Sequence, residues 1–248
     1  MECTEFVIAV LVFVALIIAA AIVLCMGAPA PATKGGGEGV GAVFTDIYEK
    51  DAWGNNRNPN YNGSSGDGSA YRYNIKTYVP FMHKIFKKYN IHSVVDLGCG
   101  DFRIGRALYN GRGIRYTGYD TYDKIITYHR TQYDSNFYTF VHSDFTKHDE
   151  LEKLKPADLC ILKDVLQHWP YKTIIEVMDY LVHANKYKYI IVVNCYKSAD
   201  PKVSSADIEP GGWRPLSISK YPLNRYGGVK LYNWDTKEVS IIIPSARG

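Results

Sequence analysis

Dense basic patches, metal-ligand cysteine spacing and internal repeats are all missing from this chain. Its 29 basic and 25 acidic residues nearly balance, and no stretch gathers the Lys/Arg stripe of a nucleic-acid surface. No nucleic-acid partner is therefore expected. The five cysteines (Cys3, Cys25, Cys99, Cys160, Cys195) are odd in number and share no metal-binding spacing. That pattern demands no metal and agrees with a reducing compartment. Lysine and arginine are also absent ahead of residue 6, where a secretory leader would place its basic segment.

Residues 6–26 form an apolar run of 21 residues without charge or proline. At 1.5 Å per residue such a helix spans roughly 31 Å, the thickness of a bilayer core. Glu2 and Glu5 stand before it, and Pro31 follows the leader-like Ala28-Pro29-Ala30. The expectation is an uncleaved single-pass membrane anchor at 6–26 behind a short tail at 1–5. Lys34, Lys50 and Arg57 all follow the span, which favours a large C-terminal domain on the cytosolic side. Residues 27–42, Ala/Pro-rich and then Gly-rich, read as a linker, with one folded domain over 43–248.

The most informative stretch is Val94-Val95-Asp96-Leu97-Gly98-Cys99-Gly100-Asp101, a buried strand running into a glycine turn. Asp120 follows Gly100 by twenty positions, at the end of the next strand-like run. A turn that lets a ligand approach the backbone, with a carboxylate for ribose hydroxyls, suits a nucleoside. A dinucleotide site wants a third glycine where Arg103 stands, so a pyrophosphate fits poorly.

Strand-like runs at 93–97, 114–119, 137–142, 158–163 and 188–194 alternate with helical stretches near 101–110, 122–134, 146–154 and 171–184. Such alternation predicts an α/β fold with a parallel sheet covered on both faces. The segment 70–89 reads as a helix that Pro80 kinks or divides. Residues 229–234 and 237–243 read as a terminal hairpin.

Acid-x-Gly-x-Gly at Asp96–Gly100, Asp120, His142-Ser143-Asp144-Phe145 and the segment Asp158–Pro170 fall in the order of class I S-adenosylmethionine-dependent methyltransferases, which the chain resembles. With Trp53-Gly54, Lys163-Asp164-Val165-Leu166-Gln167-His168-Trp169-Pro170 and Gly211-Gly212-Trp213-Arg214-Pro215-Leu216, it is similar to small methyltransferases that decorate glycans in bacteria and large algal DNA viruses. The resemblance covers 43–248. It implies a Rossmann-like class I methyltransferase fold: a seven-stranded, mostly parallel sheet with a C-terminal antiparallel hairpin and helices on both faces.

It also implies S-adenosyl-L-methionine as cofactor. Asp96, Gly98 and Gly100 would cradle the methionine part, and Cys99, Arg103 and Lys163 would also bind the cofactor. Asp120 and Thr121 would meet the ribose, and Ser143, Asp144 and Phe145 the adenine. Methyl transfer to oxygen needs a proton acceptor near neutral pKa, which points to His168 as base. Asp164 lies at i, i+4 from it, on one helical face, as its orienting partner. Asn194 at a strand end, Trp213 and Arg214 in a glycine-proline loop, and Trp53 and Arg72 flanking a glycine-rich segment are the acceptor candidates, suited to a sugar by stacking and hydrogen bonding. That flanking segment is equally a lid or a plain surface loop.

The expected activity is O-methylation of a sugar hydroxyl of a glycan. Alternatives are methylation of another small molecule, lipid or protein, a cofactor-binding scaffold without turnover, and, last, a nicotinamide oxidoreductase.

Overall fold

The structure, a computed structural model, describes residues 39–198 and 205–244. The expected tail at 1–5, the apolar run 6–26 and most of the linker lie outside these residues. The membrane reading is corrected. Among the described residues no helix is long and apolar enough to cross a membrane. The linker boundary also moves, because a helix α1 (Val40–Glu49) begins inside the stretch read as tether. Val40, Phe44, Ile47 and Tyr48 recur at helical spacing and seat one face of it on the domain.

Seven strands form one sheet: β1 (Ser93–Leu97), β2 (Arg115–Asp120), β3 (Tyr138–His142), β4 (Ala157–Lys163), β5 (Tyr187–Cys195), β6 (Val229–Trp234) and β7 (Lys237–Ile242). Their order is β3-β2-β1-β4-β5-β7-β6. The first five are mutually parallel, whereas β7 runs antiparallel to both β5 and β6. Every expected strand is present within one residue at either end.

Helices α2 (Tyr71–Asn74), α3 (Tyr78–Lys88), α4 (Gly105–Tyr109), α5 (Asp123–Tyr133), α6 (His148–Lys153) and α7 (Tyr171–His183) complete the domain. The 70–89 segment breaks at 75–77. Pro80 sits in the first turn of α3, where its missing N–H costs nothing. Alternate residues of the central strands feed two cores. Val94, Ile161, Ile191 and Val193 pack with α3 and α5. Val95, Leu162, Ile190 and Val192 pack with Leu151 of α6 and Ile174, Met178 and Leu181 of α7. Burial on both faces explains why these strands read as continuous apolar runs.

Asp158 ties the starts of β1, β4 and β5 together. Its carboxylate accepts from the backbone N–H of His92 and Ser93 and from the Ser93 hydroxyl, at 2.9–3.0 Å. Lys188 on β5 pairs with it at 2.7 Å. Burial alone would raise this carboxyl, but the Lys188 pair and the His92 and Ser93 hydrogen bonds outweigh that and hold it at about 2.

A folded-state value below the usual carboxylate range gives stability that is present above about pH 4 and lost as pH falls toward 2. Asp158→Asn should therefore cost about 2 kcal/mol at neutral pH. In urea titrations at a series of pH values, that cost should shrink to nothing near pH 2.

Candidate active site

The parallel strands end at a common edge, where the side chains of the loops that follow them meet. Gly98 and Cys99 donate their N–H groups to the Tyr119 carbonyl at 2.8 and 3.0 Å, hooking the turn after β1 onto the end of β2. Gly98 and Gly100 take φ of +82° and +51°. A Cβ on Gly100 would strike the Ser65 hydroxyl. Asp120, buried at the end of β2, accepts the Gly100 N–H at 2.9 Å and the Tyr122 N–H at 3.1 Å. Burial raises its pKa, and these N–H groups oppose the rise.

Gly105 is where the expected third glycine has moved, and it serves packing. The Phe102 ring lies across its Cα, so any Cβ there would collide with the ring. Helix α4 consequently starts at Gly105, four residues later than expected. Arg103 turns back to Asp101 at 2.9 Å.

One cavity of about 1060 Å³, including space open to solvent, runs along this edge. Asp96, Gly98, Cys99, Gly100, Arg103, Asp120, Thr121, Ser143, Asp144, Phe145 and Lys163 all line it, as do Asp164 and Trp53. The sequence therefore located every residue expected to hold a cofactor on one surface. Asp96 is enclosed, which pushes its carboxyl up to about 6, although a 3.0 Å bond from the Tyr116 hydroxyl and the nearby Lys163 work the other way. Asp144 also accepts from the Thr146 hydroxyl at 2.6 Å, so it shapes its own turn while facing the cavity.

The catalytic and acceptor expectations fare differently. Asp164 and His168 do not share a helical face. Asp164 sits at φ +60°, and only a single 3₁₀ turn, Leu166–His168, follows it. The carboxylate of Asp164 is held between Lys163, at 2.7 Å, and Lys237. Burial would raise it, but the two ammonium groups hold it well below the usual carboxylate range.

His168 is not among the residues lining the cavity. Its Nδ1 donates to the Gly212 carbonyl at 2.8 Å. Its Nε2 lies 3.2 Å from the Gln167 amide nitrogen, whose orientation is set by the Cys195 N–H bonding to Gln167 Oε1 at 2.7 Å. Both ring nitrogens are thus engaged. Burial pushes the imidazole down to about 4, against the raising effect of the Gly212 bond. A base role for His168 is corrected to a packing role, with the Trp53 ring 4.8 Å away.

Arg214 is fully buried, bonding the Trp169 carbonyl at 2.6 Å and lying 4.1 Å over the Tyr171 ring. Trp213 beside it and Asn194 are also absent from the lining. Asn194 pairs in register with Glu238 and shares a face with Val192, on the side of the sheet where Glu238 bonds Ser217 and the Ile218 N–H. Arg72 is exposed on α2, clear of the cavity. Of the five acceptor candidates only Trp53 reaches the site.

Sequence reasoning missed one part of the cover of the site, helix α1. Val40, Gly41, Phe44 and Tyr48 of α1 line the cavity. Gly41 lies so close to Asp144 and Thr121 that a Cβ would come within 2.5–2.7 Å of their side chains. Of the two open readings of the glycine-rich segment, the covering one matches the geometry. Ser65 N–H donates to Asp101 at 3.0 Å, the Asp101 N–H returns to the Ser65 hydroxyl at 2.8 Å, and Tyr48 bonds that hydroxyl at 2.7 Å. The helical spacing of Val40, Phe44 and Tyr48 was the available signal. Among the described residues no group of three or more His, Cys, Asp or Glu could hold a metal.

No protein-family model matches the chain, and no curated protein does. Solved structures do. Human N-acetylserotonin methyltransferase in complex with S-adenosylmethionine is 16% identical over 70% of this chain, with a TM-score of 0.52. The match covers 52% of that enzyme, so this chain corresponds to about half of its length. Magnesium protoporphyrin IX methyltransferase from Synechocystis, with bound S-adenosylmethionine, is 14% identical over 86% of this chain and 100% of its own, at 0.55. The N-terminal domain of EvdMO1, solved with S-adenosylhomocysteine and D-fucose, is 10% identical over 74% of this chain and 86% of its own, at 0.50. Likeness at this identity establishes the fold, a Rossmann-like class I methyltransferase fold.

If His168 is a packing residue, His168→Phe should lower the unfolding free energy by about 1–3 kcal/mol, since the Gly212 carbonyl and the Gln167 amide lose their partner. Urea denaturation measures it, and an unchanged midpoint would count against the role.

Proposed function

We propose that this protein is an S-adenosylmethionine-dependent O-methyltransferase acting on a carbohydrate. The observation that carries the reading is the Asp120 carboxylate locked to the Gly100 N–H, inside a cavity lined by five aspartates against only Arg103 and Lys163. A surplus of acid suits a cofactor bearing a sulfonium and an ammonium, and opposes a pyrophosphate. Size agrees, because a cavity of this order holds a nucleoside with an amino-acid arm.

When bound, the cofactor supplies a methyl group on a positively charged sulfur. The chain's residues hold and orient it. Asp120 faces the ribose hydroxyls with the lone pairs its two N–H bonds leave free. Asp144 and Phe145 meet the adenine, with α1 closing over them. Asp96 faces the ammonium, and Arg103 has guanidinium donors left over from Asp101 for the carboxylate.

The adenosine end thus lies over β2 and β3, so the methyl group points toward β1 and β4. Trp53 and Trp169 line the same cavity and offer indole faces for a sugar ring. The D-fucose in the EvdMO1 structure is consistent with a carbohydrate on this fold. Positioning the acceptor against the methyl group is the main catalytic contribution, of the order of several kcal/mol.

Isothermal calorimetry should show S-adenosylmethionine binding and no comparable NAD binding; tight NAD binding overturns the reading. Asp120→Ala should weaken cofactor binding roughly ten- to hundredfold, the range for a lost charge-assisted hydrogen bond.

Asp96 adds a pH signature. Its carboxyl, raised to about 6, is protonated below that pH and must release its proton to face an ammonium. Affinity should therefore be flat above pH 6 and fall by up to about tenfold per unit below it. Asp96→Asn should flatten that slope.

A further inference from the structure

At the end of the cavity away from the adenosine side, Lys163 lines the wall and Lys237 stands buried behind it, both on Asp164. Lys163, the last residue of β4, donates to Asp164 at 2.7 Å and to the Gly68 carbonyl at 3.0 Å. An ammonium has three N–H donors, so one remains for a ligand, and Lys163 lines the cavity. Lys237, the first residue of β7, holds the other oxygen of Asp164, and its side chain is 1% exposed. The remaining N–H of Lys163 suits an anionic group on a ligand, which would accept a charge-assisted hydrogen bond from it.

The same end of the cavity lacks a proton acceptor. His168 has both nitrogens engaged. Asp164 is committed to two lysines, and Asp101 is spent on Arg103 and the Ser65 N–H. Asp96, on the reading above, faces the cofactor's ammonium. Methylating a neutral hydroxyl requires a base to take its proton. Methylating a carboxylate requires none.

We propose that the oxygen methylated by this protein is a carboxylate, on an acidic sugar of the uronate kind, held by Lys163 with Lys237 behind it. The carboxylate oxygen forms the new C–O bond, the C–S bond breaks, and its electron pair stays on sulfur. One negative and one positive charge disappear together, giving a neutral ester and a neutral thioether, and no proton moves. The ester is a weaker acceptor for the Lys163 ammonium than the carboxylate, which favours its release. This rests on the methyltransferase reading and replaces the expected sugar hydroxyl by a sugar carboxylate.

The test uses a matched pair of acceptors, p-nitrophenyl β-glucuronide and p-nitrophenyl β-glucoside, which differ only in whether C6 is a carboxylate. With the protein saturated in S-adenosylhomocysteine, calorimetry should show the glucuronide binding at least about tenfold more tightly, as expected for a charge-assisted contact. Lys163→Met should abolish that difference, and Lys163→Arg should restore part of it. With methyl-labelled S-adenosylmethionine, the label should enter the glucuronide and be released as methanol by mild alkali, as an ester is and an ether is not.

Equal binding of the two sugars, binding of neither, or an alkali-stable label overturns the proposal. Failure to bind S-adenosylmethionine in the separate cofactor titration removes the methyltransferase reading itself, so the two failures are told apart.

Discussion

The bond from the Gly100 N–H to the Asp120 carboxylate is the contact on which the site depends. The turn after β1 exposes a series of backbone N–H groups in a buried place, where each needs an acceptor. Tyr119 takes two through its carbonyl, and Asp120 takes the third. The carboxylate in turn needs donors to remain charged while buried, and the turn supplies them. The glycine turn and the Asp120 carboxylate therefore form one unit, set by the β1–β2 register. Phe102 accepts a φ of +52° beside it because its ring is seated among Tyr116 and Phe140, with the bare Cα of Gly105 beneath.

Over this unit lies a cover of two layers, both fastened to it by polar contacts. Helix α1 reaches the β2 and β3 ends because Gly41 has no side chain to collide with Asp144 and Thr121. The segment from Trp53 to Ser69 is tied down near its C-terminal end. Ser65 exchanges hydrogen bonds with Asp101, while Lys163 bonds the Gly68 carbonyl. His168 belongs to the support of this cover. Its imidazole lies against Trp53 on one side and bonds Gly212 on the other, and the loop carrying Gly212 is pinned by Arg214 to Trp169. Its burial and low basicity follow from that sandwiched position.

What was legible in the sequence was what parallel-sheet physics writes locally. Apolar runs buried on both faces marked the strands, and turn residues at strand ends marked the edge where the cavity lies. Asp96, Asp120 and Asp144 follow from their place at the ends of β1, β2 and β3, which spacing alone can give. His168, Asn194, Trp213 and Arg214 could not be placed the same way. Their orientation depends on contacts between segments far apart in the chain, such as Gly212 with His168 and Glu238 opposite Asn194. The i, i+4 argument for Asp164 and His168 failed because it assumed a helix where the chain makes one 3₁₀ turn after a left-handed residue. Helix α1 was hidden by the glycines around it, although its apolar spacing was present.

The polarity of the cavity follows from the same topology. Parallel strands put the last residues of β1 to β4 at one edge, among them Asp96 and Asp120. An antiparallel strand reaches that edge with its first residue. Thus β7, beside β5, delivers Lys237 opposite Cys195, while β4, on the other side of β5, delivers Lys163 opposite Val193. Side chains two residues apart on β5 share a face, so the two lysines converge across it on Asp164. A sheet of parallel strands alone would have left Lys163 paired one to one with Asp164. The antiparallel insertion adds the second lysine, Lys237, on the other oxygen of Asp164.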